Sequence, residues 1–166
     1  MAALGNLGLL ALRNGGPETA EELLEESLLL ANLVDDAWYV ANICVSLAYV
    51  VMRLGDADRA DTLLRGGIVL AADLGEAPLQ AEALDGFAAL AARTDDADRA
   101  VTLAGAASAI RERVAVPEQS APSFRETYVR HLLTGGAPDV LQKALARGRG
   151  LEPTDAVSYA LGSDVL

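Results

Sequence analysis

The sequence predicts an all-α chain: a series of helical hairpins closed by a C-terminal helical segment. Three observations carry that expectation. Ala (32) and Leu (28) supply 60 of the 166 residues while aromatics make up 4%, a composition rich in helix formers and poor in strand formers. A segment recurs at an offset of 40, because Gly55–Leu63 lies over Asp95–Leu103 with seven identities in nine positions. The same offset backwards reaches Gly15–Leu23, which keeps the turn glycine, the first-turn acid and the Ala20/Leu23 pair. After Val114 the period stops and Pro117, Pro122, Gly135, Gly136 and Pro138 break the chain into shorter pieces.

Each 40-residue unit, at about 1–34, 35–74 and 75–114, repeats the same elements in the same order. It opens on an apolar helix in which a small residue follows a large one: Gly8 after Leu7, Ala48 after Leu47, Ala88 after Phe87. That pairing lets a neighbouring helix approach closely. A turn follows at Gly15-Gly16-Pro17, Gly55-Asp56 and Thr94-Asp95-Asp96, where glycine accepts positive φ and Asp or Thr caps the next helix. The second helix carries an acid in its first turn (Glu18, Asp58, Asp98), favoured by the helix dipole. Ala20, Ala60 and Ala100 mark its tight crossing, and Leu23/Leu24, Leu63/Leu64 and Leu103/Ala104 continue its buried stripe. Residues 115–166 are expected to cap the last apolar face within the same structural domain, through helices at about 121–134, 138–148 and 153–161. The last of these opens on Glu152-Pro153-Thr154-Asp155, with proline and acid in the first turn.

A helix pair with small residues at fixed crossing points resembles the tetratricopeptide (TPR) repeat, which implies a TPR-like helical-hairpin repeat solenoid. The unit here is 40 residues against the usual 34. The aromatic expected three positions after the small residue is replaced by Ala11, Val51 and Ala91, and the expected loop proline is missing. Residues 1 to about 162 also resemble, as a whole, the C-terminal TPR-like region of large actinobacterial ATP-binding signal-transduction regulators. The strings that carry this resemblance are Asn6–Arg13, Ala20–Leu28, Leu103–Ala107 and, most specifically, Leu151–Leu161. It implies a sensor or interaction arm of a bacterial transcriptional regulator, with no catalytic motif of its own. The sequence holds neither a Gly-x-x-x-x-Gly-Lys-Ser/Thr phosphate loop nor a recognisable helix-turn-helix. An apolar first helix at the very start of the sequence suggests an excised fragment, or an oligomer that buries that face.

Charge and special residues narrow the function classes. With 13 basic against 24 acidic residues the net charge is −11, a field that repels phosphate backbones, so direct nucleic-acid binding is not expected. The single cysteine, Cys44, forms no internal disulfide and lies in an apolar run, which points to a reducing compartment. The first charge, Arg13, comes after the apolar start, unlike the basic opening of a signal peptide. The longest uncharged run, Ala37–Met52, falls short of a spanning segment. A cytoplasmic location and no membrane are therefore expected.

Candidate chemistry is sparse. His131 is the only histidine, with no partner arrangement for general base catalysis and no ligand spacing for a metal. The acidic groups Asp35/Asp36, Asp56/Asp58 and Asp95/Asp96/Asp98 lack the alternating loop and terminal Glu of a calcium-binding EF-hand and fall at helix starts, where capping explains them. Arg13, Arg53 and Arg93 recur at the last turn of each first helix. If the units stack, they form a ladder able to clamp a carboxylate or phosphate, the alternative being helix-end stabilisation and pairing with Asp56 or Asp95. In the second unit Asn42, Val45, Tyr49, Met52 and Arg53 share one helix face, which is either a binding groove or the buried middle of the stack.

The expected function is a non-enzymatic scaffold with a groove for a protein or peptide partner, other domains of the same regulator, or a small ligand. Arg13, Asn42, Tyr49, Met52, Arg53 and Arg93 are the expected contacts, with no cofactor and no metal. Two alternatives stand beside it: a small helical enzyme with a pocket between the last repeat and the C-terminal helices, and a structural homodimerisation module.

Overall fold

The computed structural model describes residues 1–115, 123–133 and 138–162, and among these every regular element is helical. Six long helices come first: α1 (Ala2–Arg13), α2 (Pro17–Leu33), α3 (Ala37–Leu54), α4 (Ala57–Asp73), α5 (Ala77–Arg93) and α6 (Ala97–Arg113). A π-helical turn, Arg125–Val129, runs into α7 (Arg130–Leu133), followed by α8 (Asp139–Arg149) and α9 (Pro153–Ala160). The helix expected at 121–134 is thus seen from Phe124 to Leu133, and its residues 121, 122 and 134 lie outside the described residues, as do Pro117, Gly135 and Gly136.

The turns are regular. Within residues 1–115 left-handed residues occur at Gly15, Asp35, Gly55, Gly75, Asp95 and Ala115, twenty residues apart along the chain. Three of them are not glycine, and Asp tolerates this backbone better than most side chains. Directly after these residues, Asp36, Asp56 and Asp96 accept hydrogen bonds from the backbone N–H groups of Tyr39, Arg59 and Arg99 at 2.9, 3.0 and 3.1 Å. Each Asp thereby satisfies one of the orphan donors at a helix start. Gly16 and Glu76 stand at the same place without a side-chain cap and are followed by Pro17 and, two residues on, Pro78.

The chain forms two compact units, Met1–Leu74 and Gly75–Leu166. In the first, α1 packs on α2, α2 on α3 and α3 on α4. The small residues sit where the helices cross: a Cβ on Gly8 would lie 2.9 Å from Leu24 Cγ, and one on Gly67 would lie 3.0 Å from Val45 Cγ2. Ala20, Leu24, Ala31, Leu47, Ala60, Leu64 and Ile68 are fully or almost fully buried in this core. By length and composition α3 could cross a membrane, yet Ile43, Val45, Leu47, Val50 and Val51 are buried within the protein.

In the second unit α5 packs on α6, α6 on α8, and the π-helical turn on α5, with α9 touching both α5 and α6. The helices at Asp139–Arg149 and Pro153–Ala160 fall within a residue of the sequence expectation. They belong to the same compact unit as the third hairpin.

Candidate functional site

The expected contact residues divide sharply by exposure. Arg13 and Arg53 project from the last turns of α1 and α3, are exposed, and have no ion-pair partner among the described residues. Asp56, one expected partner of Arg53, is instead the cap of α4. Arg93 is also exposed, with its guanidinium 5.9 Å from the ring centroid of Tyr128, a cation–π geometry. Arg93 belongs to the C-terminal unit and Arg13 and Arg53 to the N-terminal one. Asn42 is half-buried, whereas Tyr49 and Met52 are buried with Val45 among the core side chains of α3. Trp38, at the start of the same helix, is largely exposed.

His131 is exposed in the last turn of α7. Burial pushes the Cys44 thiol up to about 11, which leaves it protonated at neutral pH and unsuited to nucleophilic attack. Among the described residues no three His, Cys, Asp or Glu side chains gather as a metal site would require.

Two features stand out: the first is the uncovered apolar face expected of the first helix, the bare side of α1, and the second has no counterpart in the sequence reading. Leu7 and Leu10 are 50% and 51% exposed, while Leu47 and Val50, forty residues on in α3, are 1% and 0% exposed. On α3 those positions are buried; on α1 they are open. The 40-residue offset contained this signal, because matched positions that are buried in one hairpin and bare in the other mark an unfilled face.

The second is a charge cluster inside the C-terminal unit. Asp85, among the buried residues of α5, lies 2.7 Å from Arg111 Nη1 on α6 and 3.1 Å from Arg125 Nη2 on the π-helical turn. Arg125 Nε donates to both carboxylate oxygens, and its Nη2 donates to the carbonyl of Ala104 at 2.6 Å. Arg111 Nη1 is close to Asp85 but misaligned, and makes no hydrogen bond. One helical turn before Asp85, the Glu82 carboxyl has its pKa raised by desolvation, with Arg111 opposing that shift and Asp85 adding to it. The cluster ties three elements together around one carboxylate, the work of a buried ionic tether. Its members are 26 and 40 residues apart in sequence, so no local motif announces it.

Comparison with protein-family models, curated proteins and solved structures finds no match to this chain.

Proposed function

We propose that this chain is a TPR-like helical-repeat interaction module, the sensor or interaction arm of a bacterial regulator, that binds a protein partner through helix faces its own fold leaves open. The observation that carries this reading is the contrast between Leu7 and Leu10, bare on α1, and Leu47 and Val50, buried at the matching positions of α3. A surface of the kind that holds two hairpins together is thereby offered to something outside the hairpin. The left-handed residues spaced twenty apart support the repeat reading, since a solenoid is built from units of regular period. The resemblance of Leu151–Leu161 to the end of regulator arms supports the family assignment.

The test is comparative capture from actinobacterial lysate with the wild-type chain and a Leu7→Asp/Leu10→Asp variant. A partner retained by the first and lost by the folded second supports the module; identical captured sets remove it.

A second reading assigns Arg13 and Arg53 to a carboxylate or phosphate on the partner. Their exposure and lack of an ion-pair partner among the described residues favour it. Replacing both by Ala should weaken capture of an acidic partner while leaving that of an apolar one unchanged.

A further inference from the structure

Arg59 and Arg99 stand at the same position of two identical strings, Ala57–Ala60 and Ala97–Ala100. In the N-terminal unit Arg59 holds α2 to the α3–α4 hairpin by gripping Glu21 and Glu25 with separate nitrogens. In the C-terminal unit the helix held by the matching arginine is α9, which packs on α5 and α6. What α9 offers is different. Arg99 Nη2 donates to the backbone carbonyls of Tyr159 and Ala160, and its guanidinium stacks on the Tyr159 ring. Two neutral oxygens thus stand where Arg59 meets two carboxylates, and charge-assisted hydrogen bonds are about twice as strong as neutral ones.

The hold on α9 is light. It has eight residues, short of the length at which a helix is stable alone. Ala156 and Ala160 are buried, whereas Val157 and Tyr159 are half-buried. At its start Glu152 meets Arg113 at 3.3 and 3.5 Å, and both side chains are exposed. Arg99 lies in the first turn of α6 and Arg113 in its last, so α9 runs antiparallel to α6. At roughly 100° per residue, Leu103, Ala106 and Ile110 fall on the line between these two arginines. All three are buried. Lifting α9 would open an apolar line with a guanidinium at each end.

The other charges of α6 are engaged elsewhere: Asp96 caps the helix, Asp98 pairs with Arg147, Arg111 with Asp85 and Glu112 with Arg149. Asp56 and Asp58 stand beside Arg59 as Asp96 and Asp98 stand beside Arg99, and they do not keep it from two glutamates. Glu152 and Asp155 belong to the α9 segment and leave with it. The exposed Asp95, where the second hairpin has Gly55, tempers the Arg99 end. Arg113 at the other end keeps the opened line positive.

We propose that α9 is a displaceable cover, and that the face it occupies on the α5–α6 hairpin takes an amphipathic helix of a partner protein. That helix carries small apolar side chains along one line and two glutamates, one turn apart, that face Arg99. This is the chemistry Arg59 already selects within the chain. The proposal rests on the interaction-module reading only in that the occupant is a protein, and it draws nothing from Leu7 and Leu10. Binding has to overcome the closed state of α9, so loosening α9 raises the apparent affinity.

The experiment titrates the full chain into two fluorescently labelled helical peptides that share one alanine and leucine stripe. One carries glutamates at i and i+4 beside the stripe and the other glutamines. The glutamate helix should bind about fivefold more tightly, with the advantage shrinking as salt rises. Tyr159→Ala, which removes the ring under Arg99, should raise that affinity about fivefold. Arg99→Ala should bind both peptides alike. On binding, the amides of α9 should lose hydrogen-exchange protection while those of α8 keep theirs. Leu7→Asp/Leu10→Asp should bind as wild type does, and circular dichroism should show every variant folded. Equal binding of the two peptides by wild type overturns the proposal, as does an Arg99→Ala variant that keeps the preference. So does a folded Tyr159→Ala variant that binds no more tightly, or binding with α9 still protected. Absence of binding by both wild type and Tyr159→Ala makes α9 a fixed part of the fold, and loss of binding in Leu7→Asp/Leu10→Asp moves the site to α1; either result overturns it too. The capture experiment with Leu7→Asp/Leu10→Asp decides the module reading separately.

Discussion

The same repeat position meets opposite fates in the two units. Arg59 and Arg99 open the second helices of the middle and last hairpins within matching strings, yet Arg59 grips two glutamates of the preceding hairpin while Arg99 donates to the last carbonyls of α9, Tyr159 O and Ala160 O, at 3.2 and 2.9 Å. The Arg99 guanidinium also stacks 5.0 Å from the Tyr159 ring centroid. In the C-terminal unit α6 is enclosed: Val101 to Ala107 are all buried, and α8 crosses it so closely that Gly105 and Gly148 have no room for a side chain. In the N-terminal unit α1 keeps one side bare. Local sequence sets the hairpin and the cap, and residues outside the period decide whether a face is closed.

Breaking the enclosure should produce the largest effects. Asp85→Ala leaves Arg111 and Arg125 without their shared carboxylate in a buried setting, and should cost about 3–5 kcal/mol in urea unfolding. A loss below about 1 kcal/mol would mean that the two guanidinium groups find water and that the tether contributes little. Gly148→Ala drives a methyl into the backbone of Thr102, and should cost about 3 kcal/mol with loss of protection in α8 by hydrogen exchange. Gly66→Ala sharpens the contrast from the other side. Nothing lies near its Cβ position in α4, so helix propensity alone should act, raising stability by about 1 kcal/mol.

Much of this contrast was legible in the sequence, but unevenly. The turns at Gly15, Gly55 and Asp95 and the caps at Asp56 and Asp96 followed from residue chemistry, because glycine and Asp act on their own backbone. The adjacent glycines of α4 differ in what surrounds them: Gly67 meets Val45, while Gly66 meets nothing. Gly148, within an Arg-Gly-Arg-Gly run, is a helix-interior contact whose partner, Thr102, lies 46 residues earlier. Asp85 offered no cue, since an acid at a buried helical position becomes intelligible only once its two arginines are placed. On α3 the shared face of Val45, Tyr49 and Met52 was periodic enough for either a groove or a core, and periodicity carries no information about which side is covered.

The smallest effect belongs to Glu82, and its sign separates a tether from a switch. Its carboxyl is raised above the usual value chiefly by desolvation, so the folded state holds its proton at pH values where the unfolded state has released it. The stabilisation this provides is fully present below the unfolded-state value and fades as pH rises through the folded-state value. Wild type should therefore lose stability relative to Glu82→Gln as pH climbs from about 4 toward neutrality. The variant should be the more stable of the two at pH 7, because it removes the cost of ionising a desolvated acid beside Asp85. Paired thermal melts across that range check it. A flat difference would show that Arg111 offsets the desolvation of Glu82 as fully as it meets the charge of Asp85, making the cluster a balanced tether with no pH response. A difference that grows with pH would make the enclosed unit acid-strengthened.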